Sequence, residues 1–116
     1  MADGEVVIDT ALDSGGFEKG INALVICGTT GESSTMTDDE HRNVIEYAVK
    51  RAAGRVPVIA GAGSNDTAYA KDLIRCAAAS GADAMLVVTP YYNKATQNGL
   101  IRMFTDLADY SPKPII

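Results

Sequence analysis

The sequence predicts an α/β fold in which parallel strands alternate with helices. Short apolar runs bounded by glycine or proline recur along the chain, and segments with helical spacing lie between them. Successive runs lie about thirty residues apart, which is the length of one βα unit. The runs are apolar at consecutive positions, which predicts a parallel sheet with helices on both faces. Either a doubly wound open sheet or part of a (β/α)8 barrel satisfies these observations.

Chain length and charge limit the class of protein. With 116 residues, the chain has room for one core and for under half of a barrel, which needs roughly 250 residues. The net charge is −5 and the ten basic residues are scattered, so we expect no nucleic-acid surface. No apolar run approaches the roughly eighteen residues that span a bilayer, and the acidic start is unlike a signal peptide. We therefore expect a cytoplasmic protein without a membrane partner.

The first βα unit begins with an apolar run. Residues 23–27 predict a strand that ends at Gly28. Thr37 stands three residues ahead of Glu40, a spacing typical of the capping box at a helix start. The helix is expected to stop at Gly54. Its predicted buried face consists of Val44, Ile45, Ala48, Val49 and Ala52.

Two further units follow in the same order. Residues 56–60 predict the second strand, Asn65 or Asp66 is expected to cap the next helix, and Gly81 to end it. Residues 84–88 predict the third strand. The predicted buried faces are Ala70, Leu73, Ile74, Ala77 and Ala78 in the second helix, and Leu100, Ile101, Phe104, Leu107 and Ala108 in the third.

Two segments lie outside these complete units. Residues 114–116 predict the start of a fourth strand, which brings the total to about three and a half βα units. Residues 1–20 are acidic, and Gly15 and Gly16 interrupt any helix there, so they predict no βα unit. We therefore assign residues 21–116 to one α/β domain and set residues 1–20 apart.

Reactive groups in parallel α/β folds gather where the strands end. The loop after the first strand, residues 28–33, places Thr29 and Thr30 between two glycines. Hydroxyl and backbone N–H groups in such a loop can bind a carboxylate or a phosphate, although the loop lacks the lysine and the spacing of a P-loop. The alternative is a tight turn with a threonine cap.

The next two loops offer different chemistry. Residues 61–66 begin like a dinucleotide-binding fingerprint, but Asp66 stands where the third glycine belongs, so a plain turn is favoured. After the third strand, Tyr91 and Tyr92 cannot both point into one core, so at least one ring is exposed, packed in an interface or presented to a site. A tyrosine and a threonine hydroxyl can pass a proton. The alternative is aromatic surface packing.

The other polar and sulfur side chains favour structural roles. His41 lies at the edge of an apolar helix face, where a packed or capping histidine is more common than a catalyst. Lys94 is expected to be a solvated loop lysine, and Cys27 and Cys76 are expected to be buried small hydrophobes. The wide separation of the two cysteines indicates no metal or redox pair. We expect neither a metal nor a cofactor.

Five segments occur in the order and at the separations found in a known family. They are residues 28–33, 37–41, 56–61, 81–84 and 88–93. Together they closely resemble the dihydrodipicolinate synthase (4-hydroxy-tetrahydrodipicolinate synthase) family of the pyruvate-dependent class I aldolases, from about residue 20 to residue 116. Sister enzymes that act on sugar acids share the threonine loop, whereas the double tyrosine followed by Asn93 points to the synthase.

The resemblance implies a (β/α)8 barrel that assembles as a homotetramer. Family members condense pyruvate with aspartate semialdehyde on the way to lysine, through a Schiff base between pyruvate and a barrel lysine. Thr30 would bind the pyruvate carboxylate, and Thr29 would be the middle of a hydroxyl relay that carries protons. Tyr92 would be the relay member donated across a subunit interface into the neighbouring site.

The resemblance also implies a site for lysine, which is a feedback inhibitor of some family members. Tyr69 falls where the lysine-sensitive enzymes carry a glutamate that pairs with the amine of the effector, and this weakens the expectation of feedback control. The other matching positions are Ser33, Ser34, His41, Asn65 and Tyr91.

The remaining catalytic groups of the family lie beyond these units. Its second relay tyrosine and a carboxylate-binding arginine follow the strand that starts at residue 114, and the Schiff-base lysine comes one strand later. We therefore expect the 116-residue chain to be inactive by itself. Residues 1–20 resemble the opening of phage tail tape-measure proteins, so a non-enzymatic assembly fusion is one alternative. A small flavodoxin-like binding module is another.

Overall fold

The computed structural model describes residues 21–116. The strands are β1 (Leu24–Ile26), β2 (Val58–Gly61) and β3 (Ala84–Leu86). They form one parallel sheet in the order β1-β2-β3. Leu24 lies opposite Val58, and Ile59 lies opposite Ala84. The three predicted strands are therefore confirmed, each somewhat shorter than or shifted from its apolar run.

A fourth strand begins beside β3. Ile115 forms a parallel bridge with Met85. The N–H of Met85 donates to the carbonyl oxygen of Pro114 at 2.9 Å, and the N–H of Ile116 donates to the carbonyl oxygen of Met85 at 2.8 Å. The prediction for residues 114–116 is confirmed, and the sheet grows in the order of the chain.

Three helices follow the strands. They are α1 (Asp38–Ala52), α2 (Thr67–Ser80) and α3 (Gln97–Tyr110). The predicted capping box is present, because Thr37 Oγ1 accepts from the Glu40 N–H and the Glu40 carboxylate accepts from the Thr37 N–H at 2.7 Å. Asp66, not Asn65, caps α2. Thr96 caps α3 in the same way, a cap that the sequence analysis did not predict.

The end of α1 differs from the prediction by one residue. Ala53, not Gly54, is the first residue in the left-handed region, with φ of 49°, and Gly54 follows with φ of 74°. The guanidinium of Arg55 donates to the carbonyl oxygens of Ala52 at 3.0 Å and of Arg51 at 2.7 Å. These bonds satisfy carbonyls that have no partner within the helix, which stabilises a left-handed turn that begins on alanine.

All three helices lie on one face of the sheet. The strand order never reverses, and right-handed crossovers in a constant direction place every helix on the same side. The expectation of helices on both faces is therefore wrong for residues 21–116. On the opposite face Val25 is 53% exposed, and in the loop just past β3 Val88 is 43% exposed. Such an apolar second face is what a barrel turns inward, so the described chain is part of a barrel and not a doubly wound, flavodoxin-like sheet.

The core lies between the sheet and the helices. Its largest fully buried side chains are Leu73, Ile74, Met85, Leu107 and Val58.

No helix among residues 21–116 has the length and apolar character needed to cross a membrane.

The buried face of α3 is narrower than predicted. Ile101 is 64% exposed and Ala108 is also exposed, whereas Met103 and Leu107 are buried. This helix packs chiefly against α2, so only the narrow stripe that faces α2 and the sheet is covered. The prediction that Ile101 and Ala108 are buried is wrong, and Met103 was missed.

Asp83 joins the start of β2 to β3. Its carboxylate accepts a hydrogen bond from the Val58 N–H at 2.8 Å, and its own N–H donates to the Val58 carbonyl oxygen at 2.8 Å. Both backbone groups of Val58 are thus satisfied by one residue. This pairing fixes the register of the strands whose opposite ends carry the candidate site.

Candidate active site

An open groove of about 600 Å³ borders the carboxyl ends of the strands. It brings together six of the nine residues named above as catalytic, substrate-binding or effector-binding. They are Thr29, Ser33, Ser34, His41, Tyr69 and Tyr91. The lining also includes side chains that the sequence analysis had assigned to the core or had not considered, namely Cys27, Met36, Leu73, Leu86 and Val88.

The threonine loop, residues 28–33, contains a tight turn. Thr29–Gly31 forms one turn of 3-10 helix, in which the Gly31 N–H donates to the Gly28 carbonyl oxygen at 2.9 Å. Consecutive residues of a 3-10 helix point about 120° apart. Both threonines are exposed, but Thr29 lines the groove and Thr30 lies outside its lining.

Cys27, directly after β1, has an unusual backbone conformation. Its φ is 59°, which is uncommon for a residue other than glycine. Its thiol lies 3.8 Å from the His41 carbonyl oxygen, and burial raises the pKa of this thiol to about 11. Cys27 is therefore a protonated, packed side chain, as predicted. Cys76 is partly buried, and its sulfur contacts the guanidinium of Arg42.

His41 links α1 to the end of β2. The side chain is buried, and its Nε2 lies 2.8 Å from the carbonyl oxygen of Gly61. A carbonyl only accepts hydrogen bonds, so Nε2 carries the proton and donates. The prediction of a packed histidine is confirmed, and the same ring forms part of the groove wall.

The tyrosine loop, residues 89–94, is strained at Tyr92. The Asn93 N–H donates to the Tyr91 carbonyl oxygen at 2.8 Å, and the residue between them, Tyr92, has φ of 69°. A bond that spans three residues around a positive φ is the rare, strained form of γ-turn. Tyr91 is 55% exposed and Tyr92 is 97% exposed. The prediction of at least one exposed ring is confirmed, and Lys94 is exposed as expected.

Tyr69 joins the two helices beside the groove. Its hydroxyl donates to Asp38 Oδ1 at 2.7 Å. Burial, together with this bond, raises the pKa of Tyr69 to about 12. Hydrogen bonds from Arg42 and from Tyr69 lower the pKa of Asp38. Arg42 also reaches Asp72 on α2 at 2.6 Å, so the groove wall is tied together by neutral and charged hydrogen bonds.

The match to a known family covers most of the chain. A model of the dihydrodipicolinate synthetase family matches residues 7–116. The chain belongs to this family. The match begins within the segment that the sequence analysis set apart, at residues that lie outside the described part of the chain.

Curated relatives carry the name 4-hydroxy-tetrahydrodipicolinate synthase. The relative from Roseobacter denitrificans is 64% identical over 98 residues, which is 84% of this chain and 34% of the relative. The relative from Thermoanaerobacter sp. is 54% identical over 100 residues, which is 86% of this chain and 34% of the relative. The chain therefore spans about a third of the length of the relatives it matches.

Solved structures of the family share the fold. The 4-hydroxy-tetrahydrodipicolinate synthase from Methylacidiphilum fumariolicum is 36% identical with a TM-score of 0.91, over 98% of this chain and 37% of that one. The dihydrodipicolinate synthase from Acinetobacter baumannii, solved complexed with pyruvate, is 41% identical with a TM-score of 0.90, over 97% of this chain and 38% of that one. The described sheet and helices are thus part of a (β/α)8 barrel.

Three candidate residues of this dihydrodipicolinate synthase family member lie outside the groove lining. Thr30 and Tyr92 are exposed in the threonine and tyrosine loops, and Asn65 is half-buried just before α2. All three follow the carboxyl ends of strands in one parallel sheet, so they stand at the same edge. The glycines at 61 and 63 also stand at this edge, where the sequence analysis favoured a plain turn.

Proposed function

We propose that this chain carries part of the active site of a 4-hydroxy-tetrahydrodipicolinate synthase. In that reaction pyruvate, held as a Schiff base, condenses with aspartate semialdehyde. The observation that carries the proposal is the placement of Thr29 in the groove at the carboxyl edge of the sheet. The family match and the pyruvate complex of the Acinetobacter baumannii synthase support it.

Thr30 is the proposed ligand of the pyruvate carboxylate. Its hydroxyl is a donor that can bind a carboxylate oxygen, and its exposed position in a tight turn leaves it open to a small ligand. Thr29, one residue earlier, is the proposed middle of the proton relay, because a hydroxyl can accept one proton while it donates another. The 3-10 turn supports this division, since it directs the two side chains differently.

Tyr92 is the proposed relay member that serves a neighbouring subunit. Its ring is 97% exposed, so its own chain offers it almost no packing. Its backbone is also held in a strained conformation, a cost that is found chiefly at functional sites. We therefore propose a homo-oligomer in which the exposed ring enters the adjoining site.

The 116 residues by themselves are not expected to catalyse the reaction. The family resemblance places the Schiff-base lysine one strand beyond residues 114–116, and Lys94 lies exposed on the tyrosine loop. An amine must be desolvated or otherwise activated to attack a ketone at neutral pH. Incubation with pyruvate and borohydride, followed by mass spectrometry, is expected to show no adduct. A stable adduct on Lys94 or another lysine would overturn this part of the proposal.

A grafted enzyme tests the proposed roles directly. In it, the matched residues of this chain replace the corresponding residues of the Roseobacter denitrificans synthase, which is 64% identical there. The grafted enzyme is expected to be active, and Thr29→Val to lower its kcat by about a hundredfold or more, the range of a lost proton-transfer group. The matched control is Thr105→Val, at an exposed position on α3. An active Thr29→Val enzyme contradicts the relay.

We further propose that the same groove also contains the effector site of the family, in modified form, beside the residues assigned to catalysis. Ser33, Ser34, His41 and Tyr91 line it, but Tyr69 contributes a phenol where lysine-sensitive enzymes carry a carboxylate. An ammonium group gains less from a phenol that already donates to Asp38 than from a carboxylate. Weak inhibition by lysine is therefore expected.

Two expectations from the sequence remain predictions. The assembly-fusion alternative rests on residues 1–20, which lie outside the described residues; size-exclusion chromatography with and without them would reveal an effect on association. The cytoplasmic location likewise remains a prediction.

A further inference from the structure

Residues 61–63 lie between the threonine loop and the tyrosine loop. Gly61 is the last residue of β2, the middle strand of the three, and Ala62 and Gly63 follow it. Neither glycine has a positive φ, so backbone conformation does not explain why glycine occupies these two positions. The neighbouring atoms do explain it.

Gly61 touches the start of the threonine loop. A Cβ on Gly61 would lie 2.0 Å from the carbonyl oxygen of Cys27 and 3.1 Å from the nitrogen of Gly28. Both atoms belong to the backbone, which cannot rotate away as a flexible side chain can. Any side chain at position 61 would therefore displace the strand end that carries Thr29 and Thr30.

Gly63 touches the strand end before the tyrosine loop. A Cβ on Gly63 would lie 2.5 Å from the nitrogen of Val88 and 3.2 Å from the Cα of Val87. These are again backbone atoms. A side chain at position 63 would push residue 88, and with it the tyrosine loop, away from β2.

The segment itself is held in place between these contacts. His41 Nε2 donates to the carbonyl oxygen of Gly61 at 2.8 Å, and the Ala62 N–H donates to the Leu86 carbonyl oxygen at 3.0 Å. Ala62 is fully buried. The segment therefore cannot retreat to make room for a new side chain.

We propose that Gly61 and Gly63 are positioning residues that set the separation between the threonine loop and the tyrosine loop. The inference rests on the proposed function and assigns these two glycines a role that acts through the loops they contact. In a symmetric oligomer, a displaced tyrosine loop also moves Tyr92 relative to the neighbouring site. A methyl group at position 61 is therefore expected to displace the threonine loop alone, and a methyl group at position 63 the tyrosine loop alone.

Amide NMR spectra of the 116-residue chain test the geometry without any activity. Gly61→Ala is expected to shift the amide resonances of residues 27–30, and Gly63→Ala those of residues 87–92. Gly99→Ala is the matched control, because Gly99 lies on α3 outside both loops and a Cβ there would approach a side-chain oxygen, Thr96 Oγ1 at 3.3 Å, rather than the backbone of a neighbouring strand end. Shifts confined to residues next to each substitution in the chain would overturn the proposal.

Kinetics of the grafted enzyme test the consequence for the site. A displacement of about 1 Å can cost up to a hundredfold in rate. Gly61→Ala is expected to raise the KM for pyruvate by about tenfold through Thr30, and Gly63→Ala to lower kcat by about tenfold with KM within about twofold. Gly99→Ala should match the parent.

The outcomes separate the two proposals. If the parent graft is inactive, or if Thr29→Val is active, the proposed function is wrong. The NMR spectra still show in that case whether the two glycines set the separation between the loops. If the parent and Thr29→Val behave as expected but Gly61→Ala and Gly63→Ala both match Gly99→Ala, the positioning role is wrong. Loss of folding by both variants, seen as loss of helical circular dichroism, also overturns it, because the glycines would then serve the fold alone.

Discussion

The hydroxyl of Tyr69 donates a hydrogen bond to Asp38 Oδ1 at 2.7 Å, and so joins the start of α2 to the start of α1 at the wall of the groove. The same carboxylate accepts from Arg42 at 2.8 Å. A phenol thus stands where the family resemblance places a carboxylate, and its hydroxyl is already engaged by a neighbour. Two of the predictions below depend on this arrangement, one on the response to lysine and one on stability in acid.

Replacing Tyr69 with glutamate is expected to strengthen inhibition by lysine. A carboxylate can form a charge-assisted hydrogen bond with an ammonium group, about twice as strong as a neutral one. In the grafted enzyme, Tyr69→Glu should lower the half-inhibitory lysine concentration by about tenfold. Tyr69→Phe is the control, since it removes the hydroxyl without adding charge. Equal lysine inhibition of the two variants contradicts the effector proposal.

The free energy of unfolding is expected to decrease in acid, partly because Asp38 and Asp72 lose their ion pairs with Arg42 when they are protonated. Hydrogen bonds from Arg42 hold the pKa of Asp38 below its ordinary value of 3.8, and those from Arg75 and Arg42 do the same for Asp72. A carboxyl whose pKa is lower in the folded state stabilises the fold above its unfolded pKa, and this contribution disappears as the pH falls through the folded pKa. Urea midpoints should therefore decrease below about pH 4.

Two variants isolate this contribution. Arg42→Met removes the partner that the two carboxylates share, while Tyr69 stays on Asp38 and Arg75 on Asp72, so the decrease of the urea midpoint with falling pH should become shallower. Arg102→Met, at an exposed position on α3, should leave that decrease unchanged. A decrease of equal slope in both variants would show that the Arg42 pairs do not set the pH dependence.

Tyr92→Gly is expected to stabilise the 116-residue chain while it impairs the grafted enzyme. Relief of a positive φ is worth about 1–3 kcal/mol, glycine costs about 0.5–1 kcal/mol in backbone entropy, and the 97% exposed ring loses little packing. A net gain of about 1 kcal/mol in the free energy of unfolding should appear in urea titrations. Tyr91→Gly, which relieves no positive φ, should not produce this gain. A destabilised Tyr92→Gly chain argues against stored strain.

The buried face of α3 can be checked with two alanine substitutions. Met103 is 8% exposed and Ile101 is 64% exposed. Met103→Ala should lower the free energy of unfolding by about 2 kcal/mol or more, whereas Ile101→Ala should change it by about 0.5 kcal/mol or less. A larger loss of stability in Ile101→Ala than in Met103→Ala would support the buried face that was predicted from the sequence.

Local features of the fold were predictable from the sequence because their causes lie close together along the chain. The capping box of Thr37 and Glu40 spans one helical turn, and Gly81 ends α2 as expected, with φ of 99°. The strands were recognisable as apolar runs, and the thirty-residue spacing indicated parallel pairing. The sequence pattern was less reliable for α3, because its apolar residues are spread over more than one face. Packing against α2 determines that Met103 is buried and Ile101 is exposed.

The residues of the chain alone determined the order of strands and helices, the caps and the chemistry of the loops, since each depends on neighbours within a few positions. The tertiary structure decided which face of the sheet the helices cover, which loop residues share a groove, and why glycine is required at 61 and 63. Those outcomes depend on contacts such as Gly61 with Cys27 and Tyr69 with Asp38, between residues about thirty positions apart. Crossover direction and close packing bring such residues together. Neither can be predicted from a pattern of neighbouring residues in the sequence.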